Sequence, residues 1–184
     1  VKALLADSAV DAVYIASPVV NHVEQALAVC EAGKPLLLEK PLALTCKEGQ
    51  RIVDAFATKG LPLATGLMMR FATHIRQMRE RVQAGEIGSI VSAYARFSCW
   101  YPPIEGAWRQ SLSTGGGGAL LDMGVHVIDL IHFITGSPIV QVAAMQERQT
   151  FPYEVEDASC LVLKLQNGAL CSLQNHFNIP DEAA

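Results

Sequence analysis

Between residues 11 and 67, short apolar runs alternate with helical segments, and this alternation limits the fold more than any other feature of the chain. DAVYIAS (11–17) is a β-branched and aromatic run with strand character. NHVEQALAVCEAG (21–33) follows as a helix, with Asn21 as N-cap and Gly33 as stop. KPLLLEK (34–40) reads as a second, buried strand. TCKEGQRIVDAFATKG (45–60) reads as a second helix, where Thr45 and Glu48 have capping-box spacing and Gly60 ends it. LPLATGL (61–67) is a third apolar run. Strand, helix, strand, helix, strand with short joints calls for a parallel sheet with crossover helices.

The pattern then changes. HIRQMRERVQAG (74–85) is an amphipathic helix, IVSAYARFSCW (90–100) alternates as a strand does, and a loop rich in Pro, Gly and aromatics runs to about Gly117. An apolar helix starts at Ala119 and is closed by Gly136 and Pro138. PIVQVAAMQER (138–148), DASCLVLKL (157–165) and ALCSLQNHF (169–177) read as strands, and the Asn167-Gly168 pair predicts a two-residue hairpin between the last two. The expectation is an α/β part over 1–68, built on a parallel sheet. An α+β part over 69–184 follows, with helices on a mainly antiparallel sheet.

Composition narrows the partners. A net charge of −4 over 184 residues, with no run of Lys and Arg, gives no electrostatic footprint for nucleic acid. No apolar stretch reaches the ~18–20 residues that span a bilayer, so no membrane partner is expected. No secretory signal is visible at the start. Cys30, Cys46, Cys99, Cys160 and Cys171 are scattered and never form CxxC. They read as thiols in a reducing compartment, which points to the cytoplasm and to neither a disulfide nor a zinc framework.

Two places carry candidate chemistry. In GGGGALLDMGVHVIDLIHFITG (115–136), Asp122, His126 and Asp129 stand at i, i+4 and i+7, on one face of a helix whose other positions are mostly apolar. Ionisable groups on so apolar a helix face either a functional cleft or a satisfied buried network, and the residues alone leave both open. A metal would need a further ligand from elsewhere, and no HExxH or histidine cluster supplies one, so no metal site is expected. The glycine run does not satisfy GxGxxG. Its role is close backbone approach at the helix start, where amide groups meet a ligand or another segment. The second place is LLLEKPLAL (36–44), where Glu39 and Lys40 stand at the end of a parallel strand directly before Pro41. Ligands of open α/β sheets bind at such strand ends, although a charged pair can equally mark the exit into water. SPVVNH (17–22) ends the preceding strand beside it.

Taken together, VDAVYIASPVVNH, AGKPLLLEKP and WRQSLSTGGGGALLDMGVHVIDL closely resemble the glucose–fructose oxidoreductase and inositol dehydrogenase (Gfo/Idh/MocA-type) family. The resemblance implies an enzyme that uses NAD or NADP to transfer a hydride to or from a sugar, cyclitol or related polyol. Lys40 matches the family's EKP lysine near the nicotinamide, and Asp122 and His126 match its catalytic Asp and His. By the same resemblance Ser17, Pro18, His22 and Glu39 line the nicotinamide-ribose side, together with Lys40. Trp108 and Arg109 match a pair that contacts the cofactor in some members, and Asp129 and Arg70 fall to the substrate. Met69 stands where many members carry Asn. Also implied is a homo-oligomer formed through the second-domain sheet. The resemblance also implies that 1–68 is the carboxyl-side portion of a Rossmann-like dinucleotide-binding sheet; the family's GxGxxG turn is absent, so the chain resembles an internal piece truncated at both ends. Two other readings fit the same residues: an NAD-dependent, redox-assisted glycosidase, and a non-catalytic relative that senses a ligand or binds a protein.

Overall fold

The computed structural model describes residues 1–180, so the last four residues of the second expected domain lie outside it. Its elements are α1 (Lys2–Ala6), β1 (Val13–Ile15), α2 (His22–Glu31), β2 (Leu36–Leu38), α3 (Cys46–Lys59) and β3 (Leu63–Thr65). They continue as α4 (Thr73–Gln83), β4 (Ser92–Ser98), α5 (Leu112–Gly115), a π turn (Leu120–Gly124) and α6 (Val125–Thr135). The strands β5 (Ile139–Glu147), β6 (Ala158–Leu165) and β7 (Leu170–His176) complete the set. The chain divides into two compact units, Val1–Gly66 with Ser113–Gly116, and Leu67–Leu112 with Gly117 onward.

In the first unit the strands stand in the order β1-β2-β3, all parallel, with Val13 opposite Leu36 and Leu36 opposite Leu63. The capping box on α3 forms as its sequence predicts. Glu48 N–H donates to Thr45 Oγ1 at 3.2 Å, Thr45 N–H donates to the Glu48 carboxylate at 3.1 Å, and Gly60 closes the helix at φ +63°. The start of α2 differs from expectation. Asn21 already has helical backbone (φ −92°, ψ −10°) and makes no side-chain cap, because a 3-10 turn over Val19–Asn21 feeds directly into the helix. Ile15, Leu36 and Leu38 pack on Ala26 and Val29 of α2 and on Ile52 and Phe56 of α3. Tyr14 and Leu37 point the other way and are exposed, so the Leu36–Leu38 run is buried on one face and not on both. Strand alternation dictates this once the two helices share a face.

The second sheet has the order β4-β7-β6-β5, antiparallel from β5 to β7, with β4 joined to β7 in parallel. Leu161, Leu163 and Leu165 of β6 and Leu173 of β7 pack on Val127 and Ile131 of α6. The β6–β7 turn holds three residues, not two. Leu165 N–H donates to Ala169 O at 2.9 Å, and Gly168 alone takes a positive φ, +92°. A two-residue type I′ turn needs positive φ at Asn167 as well. Asn167 instead uses its side chain, whose Oδ1 accepts from Ala169 N–H at 3.1 Å.

The expectation that no apolar stretch is long enough to span a bilayer needs a correction. The helical stretch Leu112–Thr135 is long and apolar enough, by length and composition, to cross a bilayer. It exceeds the expected helix, which starts at Ala119, because α5 lies upstream of that residue. Here its Val127 and Ile131 are core residues against the second sheet.

Candidate active site

The turn after β2 is fixed residue by residue. Glu39 N–H donates to Ile15 O at 2.9 Å, and Lys40 N–H donates to Glu39 Oε2 at 3.2 Å. Pro41 O lies 3.0 Å from His22 Nδ1, and the Lys40–Pro41 bond is cis. The Glu39 carboxylate also accepts from the Tyr14 hydroxyl at 2.6 Å, a bond that holds the Tyr14 phenol above its usual range. β3 reaches the same point: Gly66 N–H donates to Leu38 O at 2.8 Å, and a Cβ on Gly66 would stand 3.0 Å from the Glu39 carboxylate. Tyr14 was missing from the expected site but was legible. It pairs with Leu37, and Glu39 lies two residues on from Leu37, on the same sheet face.

The turn after β1 is tied down in turn. Ser17 Oγ donates to Gln25 Oε1 at 2.7 Å, Pro18 leads the 3-10 turn, and Ser17 O lies 3.0 Å from His22 Nε2. His22 itself is 1% exposed.

In the second unit, the start of the helical stretch is closed by a residue that no spacing rule flagged. Gly118 and Leu120 N–H donate to the two oxygens of the Glu156 carboxylate at 2.8 and 3.0 Å, and Ala119 N–H donates to Glu156 O at 3.1 Å. The amides expected to meet a ligand or another segment therefore meet another segment. An acidic group at a helix start is well placed electrostatically. Glycine is required at 118, where a Cβ would stand 1.9 Å from Glu156 O.

Beyond that start the regular i, i+4, i+7 stripe is altered, because Asp122 lies in the π turn and His126 and Asp129 on α6. Each carboxylate carries an arginine from outside the helix. Arg109 Nε donates to Asp122 Oδ1 at 3.2 Å, with its guanidinium 4.3 Å over the Trp108 ring. Arg70 grips Asp129 with both forks, Nε to Oδ2 at 2.6 Å and Nη2 to Oδ1, and this bond raises the Arg70 pKa. The Arg70 guanidinium also lies 5.3 Å from the Phe133 ring centre. His126, 8% exposed, has its ring 6.2 Å from Phe97. Tyr101, absent from the expected site, belongs beside the Arg109–Asp122 pair. Burial raises its phenol, Arg109 opposes that shift and Asp122 adds to it. The structure thus gathers Ser17, Pro18, His22, Glu39 and Lys40 in the first unit. In the second it joins Trp108 and Arg109 to Asp122, and Arg70 to Asp129.

Residues 75–183 match the family described as the GFO/IDH/MocA C-terminal domain, and residues 1–67 match the oxidoreductase family with an NAD-binding Rossmann fold. The chain is 33% identical to 1,5-anhydro-D-fructose reductase of Ensifer adhaerens, over 96% of this chain and 54% of that protein. It is 35% identical to inositol 2-dehydrogenase 2 of Saccharopolyspora erythraea, over 95% of this chain and 50% of that protein. The solved structure of levoglucosan dehydrogenase in complex with NADH and levoglucosan aligns with a TM-score of 0.92 at 28% identity, over 97% of this chain and 50% of that one. This chain belongs to the GFO/IDH/MocA oxidoreductase family. It spans about half the length of the curated relatives it matches.

Proposed function

We propose that this chain carries reaction-centre residues of an NAD(P)-dependent oxidoreductase that moves a hydride between a nicotinamide and a CH–OH carbon of a sugar, cyclitol or related polyol. The observation that carries the reading is the EKP turn. A single lysine stands at the carboxyl end of a parallel strand with the backbone on both sides of it bonded in place, in a chain whose first part matches an NAD-binding family. Gly66 lets the Glu39 carboxylate lie close against the end of β3, since a Cβ there would stand 3.0 Å from it. When bound, the nicotinamide supplies hydride acceptance or donation.

In this reading the protein's own residues handle the proton and the charge. His126 takes the hydroxyl proton as the carbon is oxidised, because an imidazole ordinarily titrates near neutral pH. Asp122, held by Arg109, orients His126. The Lys40 ammonium stabilises charge developing on the reacting oxygen or relays its proton. Ser17, Pro18 and Glu39 line the nicotinamide-ribose side with Lys40. Trp108 and Arg109 contribute to the cofactor site, and Arg70 and Asp129 to the substrate side.

The partner for the outer face of the second sheet is a second copy of this chain. Met145, Val162 and Leu170 are all exposed there, apolar side chains of the kind that seal between subunits. Sedimentation at the 19.8 kDa of one chain would sink that assignment.

The test of the redox reading is a fluorescence titration of the chain with NADH and NADPH, beside a Lys40→Ala control. Saturable binding, weakened roughly tenfold or more in the variant, is the expected result for a lost charge-assisted contact. A folded wild-type chain that binds neither dinucleotide would overturn the reading for this chain.

A further inference from the structure

His22 is a buried histidine that the proposed chemistry does not use. It heads α2, is 1% exposed, and both ring nitrogens are engaged, Nε2 with Ser17 O and Nδ1 with Pro41 O, each at 3.0 Å. These two carbonyls belong to different turns, one after β1 and the other after β2. No backbone hydrogen bond among the described residues joins Ser17 or the 3-10 turn to Lys40 or Pro41. The imidazole is therefore a bridge between the two turns.

We infer that His22 is a positioning residue, a buried cross-tie that sets the Lys40 turn against the β1 turn without touching a ligand itself. Three features of the surroundings support this. Upstream of Lys40, Glu39 is fixed by its own N–H to Ile15 O and by the Tyr14 hydroxyl. Downstream, His22 holds the Pro41 carbonyl. Lys40 is thus bracketed by anchored neighbours, which fix the root of its side chain. The far side of the tie is also rigid, because Val19 is buried and Ser17 Oγ is held by Gln25. Finally, both partners of the ring are carbonyl oxygens, which only accept. A neutral ring donates to one of them and a doubly protonated ring to both. The two-ended tie is therefore the work of the doubly protonated ring, which has no nitrogen left for a cofactor, and this distinguishes His22 from the other residues expected on the nicotinamide side.

The functional half of this inference rests on the role proposed above for Lys40, so two measurements separate the two claims. The first needs no ligand: amide hydrogen exchange across the full chain, for wild type and His22→Ala. Loss of the tie is expected to speed exchange at Lys40 and Leu42 by about tenfold or more, while Ile52 and Phe56 in the α3 core keep their protection. Equal acceleration at both sets would show that His22 merely stabilises the unit, and would overturn the inference. If the variant does not fold, long-range proton–nitrogen spectra of the wild-type imidazole decide instead. Two ring N–H protons protected from solvent exchange are expected, and a ring with only one protected N–H would overturn the tie.

The second measurement is a double-mutant cycle in NADH affinity over His22→Ala, Lys40→Ala and the pair. A residue that acts through Lys40 adds no further loss once Lys40 is gone, whereas an independent stabiliser gives additive losses. If wild type binds no NADH, the redox reading falls, and the exchange result still decides the role of His22.

Discussion

The turn that carries Lys40 and the helical stretch that carries Asp122, His126 and Asp129 place ionisable groups by opposite means. Around Lys40 the anchoring is done to the backbone: Ile15 O takes the Glu39 amide, Glu39 takes the Lys40 amide, and His22 takes the Pro41 carbonyl. Along the helix the anchoring is done to the carboxylates themselves, Arg109 on Asp122 and Arg70 on Asp129. Backbone anchoring leaves a side chain with its own rotamers and fixes only its root. Arginine pairing fixes the carboxylate oxygens and removes much of their freedom. The role proposed for Lys40, following a reacting oxygen, suits the first scheme, and the roles proposed for Asp122 and Asp129, holding an imidazole and a sugar hydroxyl in register, suit the second.

The contrast can be broken most severely at the helix start. Gly118→Ala would drive a methyl group into Glu156 O, where a Cβ would sit 1.9 Å away, so backbone must move. A loss of roughly 3 kcal/mol or more is expected from urea unfolding of the second unit, since the clash is with main chain and not with a flexible tip. A change below about 0.5 kcal/mol would mean the Glu156 segment is not held there.

Arg70→Ala tests the pairing scheme more gently. It leaves the nearly buried Asp129 carboxylate without its fork, while the partly exposed Arg70 stem loses little packing. An expected cost of about 1–3 kcal/mol follows from breaking a pair with one buried partner, discounted for the solvent that reaches Arg70. Asp129→Asn in the Arg70→Ala background should restore part of the loss by removing the orphaned charge. Failure to do so would argue that the pair is not what the arginine contributes.

The smallest effect is read by titration on the first unit. The Glu39 hydrogen bond raises the Tyr14 phenol above 10.0. A raised folded-state value means that the stabilisation is fully present below the unfolded value and is lost as pH rises through the folded one. Absorbance titration of wild type against Tyr14→Phe should therefore show one phenol ionising late. Glu39→Gln should bring it back towards 10.0 by removing the carboxylate. A Tyr14 that titrates at 10.0 in wild type would show that the bond does not persist in solution.

How far the sequence led depended on the range over which each residue acts. The strand–helix alternation, the Thr45–Glu48 cap and the Gly60 stop are local, and all appear as read. Asn21 and the Asn167-Gly168 turn misled because local propensity has several outlets. A 3-10 lead-in removed the cap, and an extra loop residue let Asn167 use its side chain in place of a left-handed backbone. Arg70 with Asp129 and Glu156 with Gly118 were out of reach, since no spacing rule links groups that meet only through the tertiary fold. The π turn under Asp122 was equally hidden, because it shifts the helix without changing its composition. Tyr14 was the missed chance. Parity along two paired strands would have placed it beside Glu39.

The parallel pairing of β4 with β7 also imposes an order of events. β5, β6 and β7 are neighbours in sequence and close on one another through short connections. β4 pairs with β7 across nearly all of the second unit, Ser92 meeting Leu170. Loop closure makes such long-range pairing slow relative to hairpins. The strand that finishes this sheet is thus the first of the four to leave the ribosome, and Ser92–Ser98 stays without its partner strand until Leu170–His176 has been made.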